Sequence, residues 1–394
     1  MKKKPSLLYA SPMGPVKSGI SDYSEILITA LGKIFDITIY SDNYEMSNKN
    51  LAQQCKVVKY GCDRLDFSKY DHIIYNIGNN PYYHGYIYEA CLQHPGMIIL
   101  HDLVIYYLFV GYYQSRGNLY AKIFQEEGIE NFIKIKREIK ENPGNLLEKK
   151  NLAEHFPFNN ELIRSKNKIM VHSWYSFNKL LQSGFGRKDN IAKINMIPQV
   201  DKGSRIVSRC QLIKKYHIPE DAMIISSFGY IAPTKMNHAI CDVIKKLSTQ
   251  TKQKICYVMV GEGDYANSYV DGKVILKTGY VDLDEFNSFI EYSDLIINLR
   301  NPSMGETSGA MLRILQKGKA CIINEGGWFS EIPEDCVIKV CLERLNAELA
   351  DRILFFIENP QERNRIEEHA KKYITQEYDS ENIVNQIKEF LLQS

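Results

Sequence analysis

Short apolar runs alternate with stretches of helical spacing along most of this chain. Residues 6–10, 36–40, 56–60, 72–77, 97–100 and 169–172 are rich enough in Val, Ile, Leu and Tyr to read as buried strands. Between the first two, Tyr23, Ile26, Leu27, Ala30 and Leu31 recur at helical spacing, with Ser21 as the N-cap. Alternation of this kind predicts a parallel sheet covered by helices. The pattern restarts at residues 223–228 and runs through 255–260, 274–276, 295–299, 320–323 and 337–340. Helices are expected near 237–247, 284–292 and 307–316, and the tail from Arg344 onward is nearly all helical. Two such series predict two doubly wound α/β domains, residues 1–199 and 200–375, joined near Ile197-Pro-Gln-Val200 and followed by a terminal helix, 376–394. Residues 117–160 break the alternation: they are charged, helical and strandless, and read as an insertion in the first domain.

The bulk properties narrow the function. A chain of 394 residues is too long for a single core. A formal net charge of +2 excludes a globally basic nucleic-acid binder, so no nucleic-acid partner is expected. The nine cysteines include no C-x-x-C pair, and the nine histidines have no zinc-ligand spacing. A disulfide framework and a structural zinc site are therefore not expected, and a reducing cytoplasm is. The basic start, Met1-Lys-Lys-Lys-Pro5, precedes an apolar run too short for a signal peptide. The most apolar region, 97–113, contains His101 and Asp102 and falls short of the roughly 20 apolar residues of a membrane span.

Open α/β sheets bind ligands where strands end and loops enter helices. Three such places carry chemistry. Ser11-Pro-Met-Gly-Pro-Val-Lys-Ser-Gly-Ile20 follows the first strand, and Gly19 opens a helix N-terminus to an anion; phosphate or sugar binding and a plain tight turn are both open readings. Pro12 and Pro15, and the absence of G-x-G-x-x-G, argue against a dinucleotide fingerprint. His101-Asp102 directly follows the fifth strand, either as ligand contacts or as a satisfied surface pair. In the second series, Phe228-Gly-Tyr-Ile-Ala-Pro-Thr-Lys235 sets a Lys before a helix. Arg300-Asn-Pro-Ser-Met-Gly-Glu-Thr-Ser-Gly-Ala310 sets an Arg, a Glu and a Ser-Gly turn around another helix start. Two cations and an amide-rich helix end suit a diphosphate held without a metal.

Taken in order, Ser18-Gly-Ile-Ser-Asp-Tyr23, Asn76-Ile-Gly-Asn-Asn80, Leu100-His-Asp102, Leu299-Arg-Asn-Pro-Ser-Met-Gly-Glu-Thr-Ser-Gly309, Gly318-Lys-Ala320 and Gly327-Trp-Phe-Ser-Glu331 resemble family-4 retaining glycosyltransferases over almost the whole chain. The resemblance implies the GT-B fold: two Rossmann-like domains facing across a cleft, with the C-terminal helix crossing back to the first. It implies a nucleotide-sugar donor held mainly by the second domain and an acceptor held mainly by the first. By the family pattern Gly19 approaches the donor phosphates, His101 meets the transferred sugar, Lys235 holds the diphosphate, and Glu306 binds a sugar hydroxyl. The backbone of Thr307, Ser308, Gly309 and Ala310 contacts sugar and phosphate, and Gly279-Tyr280-Val281 lies beside the base. His101, Lys235 and Glu306 form the implied catalytic set. Asp22, Tyr23, Asn79, Asn80 and Asp102 form the implied acceptor side. Two positions depart from the pattern. Tyr230 stands where the family often has an Arg, a charge Arg300 would replace, and Ile314 stands where a second Glu holds the ribose.

In the implied retaining mechanism the departing phosphate takes the acceptor proton on the same face, so no enzyme nucleophile and no carboxylate pair is required. Asp22 either orients the acceptor or simply favours its helix dipole. Asp282-Leu-Asp284 reads as a helix cap rather than a metal site, Gly261-Glu-Gly263 as a turn, and no cofactor is expected. The alternatives are an epimerase or hydrolase acting on nucleotide sugars, or a non-catalytic sugar-binding subunit. In the insertion, Phe132, Ile135 and Ile139 share a stripe ringed by Lys134, Lys136, Arg137 and Lys140. This is either a peripheral membrane contact, for a glycan or lipid-linked acceptor as in surface-polysaccharide biosynthesis, or a flap packing on the first domain.

Overall fold

The computed structural model describes residues 3–199 and 205–393. It divides into two compact units: Met1–Ile197 with Met304–Thr307 and Ser380–Ser394, and Pro198–Ser303 with Ser308–Asp379. The junction read at 197–200 runs into residues 200–204, which lie outside the described residues.

The first unit holds β1 (Ser6–Ala10), β2 (Asp36–Ser41), β3 (Lys56–Lys59), β4 (His72–Ile77), β5 (Met97–Leu100), β6 (Lys168–Val171) and β7 (Ile191–Lys193). They form one parallel sheet in the order β3-β2-β1-β4-β5-β6-β7. In β1, Leu7, Leu8, Tyr9 and Ala10 are wholly buried, as a strand covered on both faces requires. The edge strand β7 escaped the sequence pattern because its three residues offer no apolar run.

The helix Gly19–Leu31 begins one turn earlier than the pattern placed it. Ser18, in extended conformation, is the N-cap, and its Oγ accepts from the Ile20 N–H at 3.2 Å. Ser21 is buried inside the first turn, where its hydroxyl donates to the Val16 and Ser18 carbonyls. The helix Ser380–Leu392 packs within the first unit against Gly19–Leu31, and Lys168 Nζ donates to the Phe390 carbonyl at 2.9 Å.

The insertion contains the helix Leu119–Glu141, interrupted at Gly128, whose φ of 72° suits glycine. Ile135 is buried in the first unit's core, and Phe132 and Ile139 pack against it. The stripe is therefore the inner face of a flap, because apolar side chains at this spacing found a partner in the core. Glu161 anchors the arrangement: it accepts from Tyr88 Oη at 2.7 Å, from Tyr113 Oη, and from Lys122 Nζ at 2.8 Å.

The second unit holds β8 (Met223–Phe228), β9 (Ile255–Val260), β10 (Ile275–Lys277), β11 (Leu295–Ile297), β12 (Cys321–Asn324) and β13 (Ile338–Val340), all parallel, in the order β10-β9-β8-β11-β12-β13. Helices Asn237–Gln250, Leu283–Tyr292 and Gly309–Lys317 lie between the strands, close to where periodicity set them. Asp282 caps Leu283–Tyr292, its Oδ1 accepting from the Glu285 N–H at 2.9 Å, and Asp284 Oδ1 accepts from the Arg205 N–H. Each sheet reverses its strand order once, between β1 and β4 in the first unit and between β8 and β11 in the second. Ligands of open α/β sheets bind outside the carboxyl ends of strands at such switch points.

Candidate functional site

The loops leaving β1 and β4 flank the first unit's switch point. A Cβ on Gly19 would meet no atom within 4 Å, so the space beside this residue is open. Asp22 is exposed in that first turn. Gly78 is required by packing, since a Cβ there would press on Ile20, His84 and Asp102. The Asn79 N–H donates to Asp102 Oδ2 at 2.9 Å. Asn79 Oδ1 accepts from the Tyr107 and Leu108 amides, and Asn80 Oδ1 accepts from the Tyr82 amide. The oxygens of both asparagines, expected on the acceptor side, cap helix N-termini, a role for which Asn is well suited.

His101 follows β5 and is 6% exposed. Its Nε2 lies 3.0 Å from Asn76 Oδ1, and its ring contacts Tyr23 and His172, with centroids 4.9 and 5.3 Å away. Burial, then His172 and His84, hold its pKa well below the ordinary histidine value, so the ring is neutral near pH 7. Tyr23, expected on the acceptor side, is 1% exposed: it walls the two histidines, and burial drives its pKa up. The sequence reading assigned no role to Asn76 or His172. His172 follows β6 as His101 follows β5, a parallel visible in the sequence.

Glu306 belongs to the first unit's cluster. The Val104 N–H, three residues beyond His101, donates to the Met304 carbonyl at 3.0 Å, and Ser176 Oγ donates to the Gly305 carbonyl at 2.8 Å. Gly305 has φ 79°, and a Cβ there would run into Leu103. The Met304 N–H donates to Glu306 Oε2 at 2.8 Å, and Thr307 is buried.

In the second unit, the loops leaving β8 and β11 carry the cations. Gly229 turns the chain with φ 88°, and Lys235 Nζ donates back to the Phe228 carbonyl. The Gly229 and Ile231 amides donate to the Val260 and Glu262 carbonyls, at 2.9 and 2.6 Å. A Cβ on Gly261 would run into the Gly229 carbonyl, and one on Gly263 into Ile231. The turn at 261–263 is thus a glycine-dependent backbone junction supporting the Lys235 loop. Arg300 is held by Asn324, which accepts from its N–H at 2.7 Å and donates to its carbonyl at 3.0 Å. The Asn301 N–H donates to the Thr234 carbonyl at 2.8 Å, so the Lys235 and Arg300 loops are joined.

Ser308 caps Gly309–Lys317, its Oγ accepting from the Met311 N–H. The Gly309 and Ala310 amides lie ahead of the intrahelical ladder, and a Cβ on Gly309 would meet nothing. Tyr230 and Tyr280 are 68% and 59% exposed. The loop of Gly279, Tyr280 and Val281 is tied in through Thr278, whose hydroxyl accepts from the Gly261 N–H. Ile314 is wholly buried, so the position where a ribose-binding Glu is expected offers no polar group. Among the described residues no cluster of His, Cys, Asp and Glu could hold a metal ion. A cavity of about 640 Å³ near Lys4, Ile28 and Phe35 lies at the amino edge of the first sheet, away from these loops.

No protein-family model and no curated protein sequence matches the chain. Solved structures do. Anabaena Alr3699/HepE in complex with UDP-glucose aligns over 98% of this chain and 99% of that one, at 16% identity and a TM-score of 0.66. WaaG, a glycosyltransferase involved in lipopolysaccharide biosynthesis, aligns over 98% and 100%, at 10% identity and 0.65. A glycosyltransferase from Rickettsia africae aligns over 99% and 100%, at 14% identity and 0.67. At these identities the likeness establishes the fold, which is GT-B.

Proposed function

We propose that this chain is a retaining glycosyltransferase that moves a sugar from a nucleotide-sugar donor to an acceptor hydroxyl without a metal. The observation that carries the reading is the second unit's switch point: Lys235, the joined Arg300 loop and the amide end of Gly309–Lys317 gather on one carboxyl edge. Helix N–H groups and cations on one edge favour an anion there.

The chemistry follows from where charge develops. The bond from the anomeric carbon to the diphosphate oxygen breaks and the electron pair leaves with the phosphate, which Lys235 and the amides stabilise. The acceptor oxygen bonds to the anomeric carbon on the same face, and its proton passes to the departing phosphate. Glu306 holds a hydroxyl of the transferred sugar, and Asp22 orients the acceptor. Asp282 and Asp284 accept from backbone amides, which supports reading them as local caps rather than metal ligands. The UDP-glucose in the HepE complex makes UDP sugars the first donors to try.

We further propose a glycan or lipid-linked acceptor met at the cytoplasmic membrane face. Since Phe132, Ile135 and Ile139 pack inward, that contact falls to the exposed Tyr120, Phe124, Ile129 and Ile133, beside Lys134, Lys136 and Lys140. No described helix is long and apolar enough to cross a membrane. Sedimentation with anionic liposomes at low and high salt tests this; wild type and a Lys134/Lys136/Lys140→Glu variant remaining alike in the supernatant would exclude it.

A thermal-shift screen of UDP, GDP, ADP and their sugars, followed by product analysis with and without EDTA, tests the main reading. One nucleotide family raising the melting temperature, with EDTA-resistant transfer and retained anomeric configuration, is the expected result. Epimerised or free sugar as the sole product, or turnover abolished by EDTA and restored by Mg²⁺, overturns it.

A further inference from the structure

The first unit buries three imidazoles close together, and their hydrogen bonds decide which nitrogen of each carries the proton. Asn76 is wholly buried and its amide can face only one way. Its Nδ2 donates to the Ala10 carbonyl at 3.1 Å, while its Oδ1 accepts from Tyr9 Oη and lies 3.0 Å from His101 Nε2. Reversed, it would set one carbonyl against another. An amide oxygen only accepts, so His101 Nε2 must carry the hydrogen, and in a neutral ring Nδ1 is then a bare lone pair. His172 is the mirror case. Its Nδ1 lies 3.0 Å from the Ile194 carbonyl and must donate to it, which leaves Nε2 bare. His84 is held likewise by the Asn76 carbonyl.

His101 Nδ1 and His172 Nε2 are both buried and have no hydrogen-bond partner within the protein. The two rings lie 5.3 Å apart, and Tyr23, whose hydroxyl is also unpartnered, packs its edge on both. Burial lowers the His172 pKa to about 4 and that of His101 well below its usual value, so both rings stay neutral near pH 7. Buried acceptors without a donor are costly. Each calls for an O–H donor, and one hydroxyl can serve only one of them.

We propose that Asn76 and the Ile194 carbonyl are positioning groups that lock His101 as the Nε2–H tautomer and His172 as the Nδ1–H tautomer, so that each ring offers a lone pair to an O–H donor on its unpartnered side and cannot act there as a proton donor. The donor is a water molecule or a hydroxyl of the transferred sugar; the second source alone rests on the function proposed above.

Proton–nitrogen correlation spectra of protein carrying isotope-labelled histidine read the tautomers directly, with assignments from His101→Gln and His172→Gln. The expected spectrum at neutral pH has the two residues as opposite, single tautomers. A His101 that is Nδ1–H, or doubly protonated, overturns the proposal. Asn76→Leu should lose the single-tautomer signal of His101, and Asn76→Asp, buried as the neutral acid with its O–H on the Ala10 carbonyl, should restore Nε2–H. A folded Asn76→Leu protein with His101 still wholly Nε2–H removes Asn76 from the scheme. If these variants do not fold, the wild-type spectrum decides alone. A His101 Nδ1 signal that moves with UDP-glucose but not with UDP assigns the O–H group to the sugar, and one indifferent to both assigns it to water. Because the spectra need no turnover, the tautomer lock and the transfer reaction can fail separately.

Discussion

Truncating Lys235 to Ala removes the cation on which the proposed chemistry depends most. The residue ends a short turn, Pro233–Lys235, with its N–H on the Ala232 carbonyl at 2.9 Å. The backbone of the loop is also held at Gly229, Ile231 and Asn301, so the loop keeps its course without the side chain. The ammonium donates to the Phe228 carbonyl, and losing a bond of that kind costs about 1 kcal/mol. Thermal unfolding should therefore shift by only about 2–4 °C. Turnover should fall far more. A unit charge about 4 Å from an ammonium, at an effective dielectric near 20, interacts by about 4 kcal/mol. The bound diphosphate is already anionic, so only the charge developing as it departs counts toward the barrier. A loss of about 3–4 kcal/mol, several hundredfold in kcat, is expected, with a smaller weakening of nucleotide binding. Steady-state transfer rates and nucleoside diphosphate titrations on the same folded variant measure both. A folded Lys235→Ala enzyme with unchanged kcat refutes the assignment and moves the phosphate site elsewhere.

Glu306→Gln should reduce transfer at least tenfold, roughly the loss of one charge-assisted hydrogen bond, while leaving UDP affinity within about twofold; equal losses in calorimetric binding and in rate would place Glu306 at the nucleotide. Gly261→Ala should lower stability by about 2 kcal/mol or more, since φ is 154° and the added Cβ meets the Gly229 carbonyl; a melting temperature within about 1 °C of wild type would show that the junction yields freely. Stability should also fall on acidification. His84 and His172 have pKa values of about 4 against the ordinary 6.5, so between these values the unfolded chain binds more protons than the folded one. Their contribution is complete above pH 6.5 and is lost as pH drops toward 4, by up to about 3 kcal/mol each. Urea midpoints measured from pH 7 to 5 check it, and a flat profile would mean that the imidazoles titrate normally.

The likeness to solved structures makes the fold firm, yet much of it was legible without them. Twelve of the strands lie where apolar runs put them, because a parallel strand buried on both faces writes its burial into consecutive residues. The loops at the switch points were legible for a related reason: they begin where the apolar runs of β1, β4, β8 and β11 stop. A chain reveals through its own spacing which residues are buried and where each strand stops.

What each residue buries itself against is a different matter. Ser18 and Ser21 are both good caps, and the choice fell to Ser18 because Ser21 turns its hydroxyl to the Val16 carbonyl. Asn79 and Asn80 belong to helix N-termini, and Tyr23 to a histidine cluster, through contacts that no local pattern records. Asn76 reaches Ala10 and His101, 66 and 25 residues away, and so sets the tautomer of a ring whose own neighbours in sequence are Leu100 and Asp102. The stripe of Phe132, Ile135 and Ile139 shows the same division. Periodicity established that it is apolar and helical, while only the first unit's core decided that it faces inward. Spacing along the chain determined which positions avoid water; the partner each one found depended on strands and helices brought together from distant sequence, where packing and hydrogen-bond geometry choose among residues that are locally equivalent.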